Sequence, residues 1–304
     1  PKEMNETQIL KLSLIIYAGI FVFALALTAV MAITKRMTHD RNIWIGTLSW
    51  FVIFAVFLVA DIAGIVPFSI LILVISCALV WEFNRAFSLP FWPSTVWAWL
   101  VLVLLSLANL SARTDLFWMA FVVGVSAMPA LQLFRGTNGF ARRSGLSVFS
   151  LTYWGLGFYH LALIRGLEGG FGLIVAICSM IALDDNTAYY TGRTIGKRSR
   201  KLAPGVSPGK TWVGTISGFL ACMVVAFGFS FALGNLSWLE IALVALAVGI
   251  AVPLGDLAES AMKRDIGVKD MGWFIPGHGG FCDRFDSWAF AGPVAYYLLY
   301  LLTR

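Results

Sequence analysis

Charge is scarce in this chain. Of its 304 residues only 12% are Asp, Glu, Lys or Arg, while 59% are hydrophobic; a water-soluble domain carries about a quarter charged residues. That deficit excludes an ordinary water-facing surface. Cysteine and histidine are also sparse, at four and three. Cys77, Cys178, Cys222 and Cys282 are scattered, without a C-x-x-C pair or a histidine at ligand spacing, which excludes a compact thiolate metal site. We read them as packing residues. No Ser-His-Asp order or Cys-His pair stands out, and no internal repeat or low-complexity linker divides the chain.

What fills the sequence instead is apolar runs of 18 or more residues, each able to cross a hydrocarbon core of roughly 30 Å as a helix. Breaks at charges, Pro and Gly predict about ten transmembrane helices: 9–34, 43–60, 68–87, 94–111, 116–134, 146–165, 170–191, 212–233, 237–263 and 284–303. The expected fold is an all-α polytopic integral membrane protein, residues 1–304 forming a single membrane domain. The first run, Ile9 to Ile33, is too long for a signal-peptide core and is expected to remain as a spanning helix.

The basic residues give the expected orientation. Alternate loops hold Lys35, Arg36 and Arg41, then Arg85, then Arg135, Arg142 and Arg143, then Arg193, Lys197, Arg198, Arg200, Lys201 and Lys210, and finally Lys263, Arg264, Lys269 and Arg284. The opposite side keeps Lys2, Lys11, Arg113, Arg165 and Arg304. Cytoplasmic loops carry such an excess. Both termini are then expected away from the cytoplasm. Two cytoplasmic loops, 192–211 and 263–283, are glycine-rich and dense in charge.

Ionisable groups inside apolar helices cost about 2.5 to 3.5 kcal/mol each on insertion scales, so each needs a reason. Asp61 reads as an interfacial cap. Asp184 and Asp185 lie near a helix end; Asp185, Tyr189 and Arg193 share a face, where a structural Asp-Arg pair competes with a functional role. Asp256 follows Pro253 and Gly255, which are expected to loosen the helix, and shares a stripe with Ser260 and Lys263. Glu259 and Arg264, on neighbouring stripes, suit an ordinary ion pair.

Beyond them come Pro276-Gly277-His278-Gly279-Gly280 and Asp283-Arg284-Phe285-Asp286. Asp283 and Asp286 are expected on one helical face. Capping accounts for one of them; two, opposite Asp256, point to a hard-cation site of oxygen ligands. Glycines let backbone N–H groups approach phosphate, and Lys263, Arg264, Lys269 and Arg284 bring positive charge. Ser207-Pro208-Gly209-Lys210-Thr211 resembles the end of a P-loop, but Pro204 stands where glycine is required. It fits equally a phosphate contact or a turn with a solvated basic face. Carboxylates for a divalent cation, many cationic groups and glycine-rich backbone are what phosphoryl or nucleotidyl transfer requires.

The run Ser260-x-x-Lys263-Arg264-x4-Lys269-Asp270, with Pro276-Gly277-His278-Gly279-Gly280 and Asp283-Arg284-x-Asp286, closely resembles the signature of the CDP-diglyceride synthetase (phosphatidate cytidylyltransferase) family. Asp185-Asn-Thr-Ala188-Tyr189, Gly192-Arg193, Gly196-Lys197 and Ser207-Pro208-x-Lys210-Thr211-Trp-x-Gly214 are similar to its second block. The likeness is strong over 180–290, the expected catalytic part, and weak over 1–170, where Trp81-Glu82-Phe83 chiefly carries it. Two positions depart from the family: it usually has a basic or polar residue at Gly209 and Glu at Val213.

The resemblance implies transfer of a cytidylyl group from CTP to phosphatidate, giving CDP-diacylglycerol and pyrophosphate, with Mg2+ and often a monovalent cation such as K+. It implies that Asp256 and Asp283 hold metal; that Ser260, Lys263, Arg264, Lys269 and His278 surround phosphates; and that Asp185, Arg193, Ser207 and Lys210 complete the nucleotide or lipid-phosphate site. Asp256, Asp283, Lys263 and His278 are the expected catalytic residues, with Arg284 and Asp286 beside the substrates. A homodimer is also implied, with the active site on the cytoplasmic side of a membrane, expected to be the bacterial inner membrane; nucleic acid is not an expected partner. A relative acting on another lipid phosphate or isoprenoid is the alternative within the class, and a cation-coupled transporter using Asp61, Asp185 and Asp256 the alternative outside it.

Overall fold

The structure, a computed structural model, describes residues 7–12, 14–15, 41–234, 236–274 and 279–303, with backbone alone at 41–50 and 197. Most of the first expected helix and His278 lie outside the described residues.

Among the described residues helices dominate: α1 (Arg41–Ile62), α2 (Ile65–Ala86), α3 (Val96–Leu110), α4 (Thr114–Gln132), α5 (Phe140–Phe149), α6 (Gly157–Arg165), α7 (Gly170–Thr194), α8 (Trp212–Gly228), α9 (Trp238–Asp265) and α10 (Cys282–Leu302). Five helical runs, Ile65–Ala86, Phe91–Leu110, Thr114–Arg135, Gly170–Thr194 and Trp238–Asp265, are long and apolar enough to cross a membrane. This is an all-α membrane protein in its main architecture. The helix expected at 146–165 begins earlier, because α5 and α6 join through a π-type turn at Ser150–Leu156.

Two expectations change. Residues 192–211 are not simply a loop: β1 (Lys201–Ala203) and β2 (Ser207–Thr211) form an antiparallel hairpin, with Lys201 opposite Thr211 and Ala203 opposite Ser207. Pro204 and Gly205 make the reversal, closed by the Val206 N–H donating to the Ala203 carbonyl at 3.1 Å. Pro253 and Gly255 do not loosen α9, which runs unbroken from a capping box at Ser237 and Glu240 to Asp265. Gly255 serves close approach instead: a Cβ there would lie 2.8 Å from the Asp286 carbonyl oxygen on α10. Contact this close brings the two helices' acidic positions together.

The same device joins α7 to α8, where a Cβ at Gly214 would meet the Ala188 carbonyl at 2.7 Å. In the core, Phe57 of α1 packs among Phe158, Phe285 and Trp288 with ring centres 5.4 to 6.4 Å apart. Toward the ends of α2 and α4, buried polar groups bond across helices: Asn84 donates to Thr95 Oγ1 at 3.1 Å, and Gln132 to Ser94 Oγ at 2.8 Å and Ser147 Oγ at 3.1 Å.

Candidate active site

The stripe expected on α9 is present, but its partners are only partly those the spacing predicts. Asp256 pairs with Lys210 of the hairpin, Nζ to Oδ2 at 2.5 Å. Ser260 Oγ reaches Asp256 Oδ1 only at 3.5 Å. Lys263 turns to Glu259, one helical turn back, at 2.7 Å, and to Asp283 of α10 at 2.9 Å. Glu259 therefore pairs with Lys263 rather than with Arg264. Arg264 is exposed and caps local backbone, donating to the Val268 carbonyl at 2.9 Å.

Asp283 and Asp286 do not share a face. Phe285 between them leaves helical geometry, at φ −114° and ψ 18°, so the two carboxylates turn to different surroundings. Asp283 faces the preceding loop: its Oδ2 accepts the backbone N–H groups of Met271 at 2.9 Å and Gly280 at 2.8 Å, while Oδ1 holds Lys263. Asp286 is 8% exposed and turns inward. Oxygens of Asp256, Glu259 and Asp286 all lie within 4.8 Å of one another. The pair expected to hold metal, Asp256 and Asp283, is thus not the grouping found among the described residues. Asp256 stands with Asp286 and Glu259, and Asp283 stands across Lys263 from them.

Beside this cluster opens a cavity of about 300 Å³ lined by Asp185, Arg193, Ser207, Lys210 and Asp256. Five expected site residues, drawn from α7, the hairpin and α9, therefore meet in one space. Asp185 accepts from Ser287 Oγ at 3.1 Å, which ties α7 to α10. The structural pairing of Asp185 with Arg193 gives way to a different contact: the Arg193 guanidinium lies over the Tyr189 ring, 4.6 Å from its centre. Gly209 also lines the cavity, with nothing within 4 Å of where a Cβ would stand. Arg284 is half-buried at the head of α10, and Lys269 is exposed on the loop after α9.

Three participants escape spacing arguments. Asp184, 1% exposed, lines the cavity and faces Gly218 of α8, where a Cβ would come 2.5 Å from its Oδ1. Thr211 caps α8, its Oγ1 accepting the Gly214 N–H at 3.1 Å, and so fixes where Lys210 emerges. Glu82 of α2 accepts the Cys282 N–H at 2.6 Å across 200 residues of sequence. The adjacent Asp184-Asp185, the Thr211-x-x-Gly214 cap and Trp81-Glu82-Phe83 are local signals, but none of them gives these contacts.

A family model described as a cytidylyltransferase family matches residues 44–302. The chain belongs to that cytidylyltransferase family. It is 38% identical over 161 residues to a phosphatidate cytidylyltransferase of Bacillus subtilis, covering 52% of this chain and 59% of the relative. It is 35% identical over 204 residues to that of Brucella abortus, covering 66% and 71%, and 41% identical over 143 residues to that of Haemophilus influenzae, covering 44% and 47%. The chain thus spans from about half to about seven tenths of the length of these relatives. The family match takes in α1 to α10 and so the whole cavity.

Proposed function

We propose that this protein is a membrane-bound phosphatidate cytidylyltransferase, joining CTP and phosphatidate to give CDP-diacylglycerol and pyrophosphate. The observation that carries the reading is the meeting of Lys210, Arg193 and Ser207 with the Asp256 cluster around one cavity, in a chain whose named relatives bear that activity. A phosphate oxygen of phosphatidate, already anionic, forms a new bond to the α-phosphorus of CTP. The bond from the α-phosphorus to its bridging oxygen breaks, and pyrophosphate leaves with that oxygen. No strong base is needed. The chain's task is to bring two anions together and offset their charge.

Lys210, Arg193 and Ser207 gather the nucleotide phosphates, and Asp185 orients that wall through Ser287. Lys263, Arg264, Lys269 and Arg284 balance the lipid phosphate and the departing pyrophosphate, with Ser260 donating beside Asp256 and His278 assigned to the same phosphates by its place in the sequence. The all-oxygen set of Asp256, Glu259 and Asp286 fits Mg2+, and Lys210 already rests one positive charge on Asp256 at 2.5 Å. Those three carboxylates would hold the ion, with Asp283 a further candidate ligand across Lys263 and K+ as a second cation. When bound, such an ion neutralises phosphate charge and steadies the leaving group.

The chain works in the bacterial inner membrane as a homodimer embedded among lipids. Each copy has about ten spans in one membrane domain, both termini away from the cytoplasm and the cavity on the cytoplasmic side. Purified protein in vesicles containing phosphatidate, given CTP and Mg2+, is expected to form CDP-diacylglycerol and pyrophosphate in equal amounts. Product from another lipid phosphate but none from phosphatidate would overturn the substrate assignment.

A further inference from the structure

Glu82 is a carboxylate in a place that helix packing alone does not ask for. It lies near the end of α2, in the N-terminal half, with 3% of its surface exposed. A buried carboxylate is costly unless donors meet it. Its Oε2 accepts the Cys282 N–H, at the first residue of α10, at 2.6 Å. A carboxylate suits that spot, because the free N–H groups and dipole of a helix start favour negative charge.

The carboxylate also lies between the two stems of the loop that leads into α10. A Cβ at Gly272 on one stem or at Gly280 on the other would overlap the Glu82 carboxylate. Glycine at both positions is therefore matched to this one side chain, from a helix nearly 200 residues earlier. Next to it, Asp283 accepts the N–H groups of Met271 and Gly280 and holds Lys263 at 2.9 Å. Two carboxylates from opposite ends of the sequence thus fix the stems, one from α2 and one from α10.

We propose that Glu82 is a positioning residue for cytidylyl transfer: by holding the Cys282 N–H and the Gly272 and Gly280 stems, it sets where Asp283 presents Lys263 to the reacting phosphates. This rests on the function proposed above. Glu82 touches no substrate and acts only through the backbone.

The test measures turnover per folded molecule, CTP KM, and hydrogen–deuterium exchange over residues 271–284 in wild type, Glu82→Ala and Glu82→Gln, with folding checked by gel filtration. Glu82→Ala is expected to lower kcat by roughly tenfold to a hundredfold, as small misplacements of reacting groups do, to leave CTP KM within about twofold, and to speed exchange in that segment. Glu82→Gln, which keeps an acceptor and the same volume, is expected to recover most of the rate and protection. Gly280→Ala is expected to impair the wild type but to cost little further in the Glu82→Ala chain, since the clashing carboxylate is gone. Wild-type kcat and exchange in folded Glu82→Ala would overturn the inference, as would a rise in KM that accounts for the whole loss. A wild type without turnover would defeat the proposed function instead, while the exchange comparison would still judge what Glu82 holds.

Discussion

Two sets of charged side chains among the described residues differ in how they are balanced. Asp61, at the end of α1, meets Arg165, at the end of α6, with Nε to Oδ1 at 2.5 Å and the Asp61 side chain fully buried. The guanidinium also lies over Phe171, 5.8 Å from the ring centre. An acid, a base and an aromatic wall from three helices meet here. Around Asp256 the acids crowd instead: Asp256, Glu259 and Asp286 lie within 4.8 Å of one another, and Lys210 and Lys263 are the lysines paired with them. Like charges held together beside a cavity oppose stability and suit a cation and phosphates. We read the opposite-charge pair as scaffold and propose the crowded set for the chemistry.

Substitutions can break that contrast. The largest effect is expected from Asp256→Asn, with turnover falling roughly a hundredfold or more, as on losing a group that stabilises developing charge. The Asp256 side chain is 34% exposed and that of Lys210 19%, against none for Asp61, so the loss of stability should be smaller than on breaking the more deeply buried pair. Assays of CDP-diacylglycerol formation and thermal unfolding in the same detergent would check both. Arg165→Leu is expected to do the reverse. Removing the Arg165 charge from beside the buried Asp61 should cost about 3 to 5 kcal/mol, read as a lower unfolding temperature, while the molecules that remain folded keep their kcat. Equal losses of stability and turnover in both variants would dissolve the distinction. The smallest change is expected from Ser237→Ala, at the far end of α9 from Asp256. It removes the Ser237 Oγ that accepts the Glu240 N–H at 3.4 Å at the helix start, costing about 1 kcal/mol; unfolding should register it and turnover should not.

Much of the site was legible because its signals are local. Asp256, Ser260 and Lys263 follow helical spacing, and the charge-dense loops on either side of α8 and α9 stand out against an apolar chain. The residues that were misplaced or missed depend on single backbone events or distant helices. The departure at Phe285 separates Asp283 from Asp286, which ideal helical spacing would have put on one face. Lys210 reaches Asp256 because a three-residue turn folds its loop back as a hairpin. Glu82 reads as part of a helix end until α2 is set against the start of α10.

By itself the sequence determined the membrane as solvent, the helical stretches described here, the identity of the charged segments and the likeness to a cytidylyltransferase family. Each of these follows from composition, from periodicity or from residues close together in the chain. Tertiary structure alone decided which carboxylates meet. Gly255 lets α9 touch α10 and so groups Asp256 with Asp286, Lys263 bridges Glu259 to Asp283, and Glu82 seats two glycines far from it in sequence. Pairing between distant segments is set by how closely backbones can approach and by which buried charge finds a donor, and neither is written in the spacing along one helix.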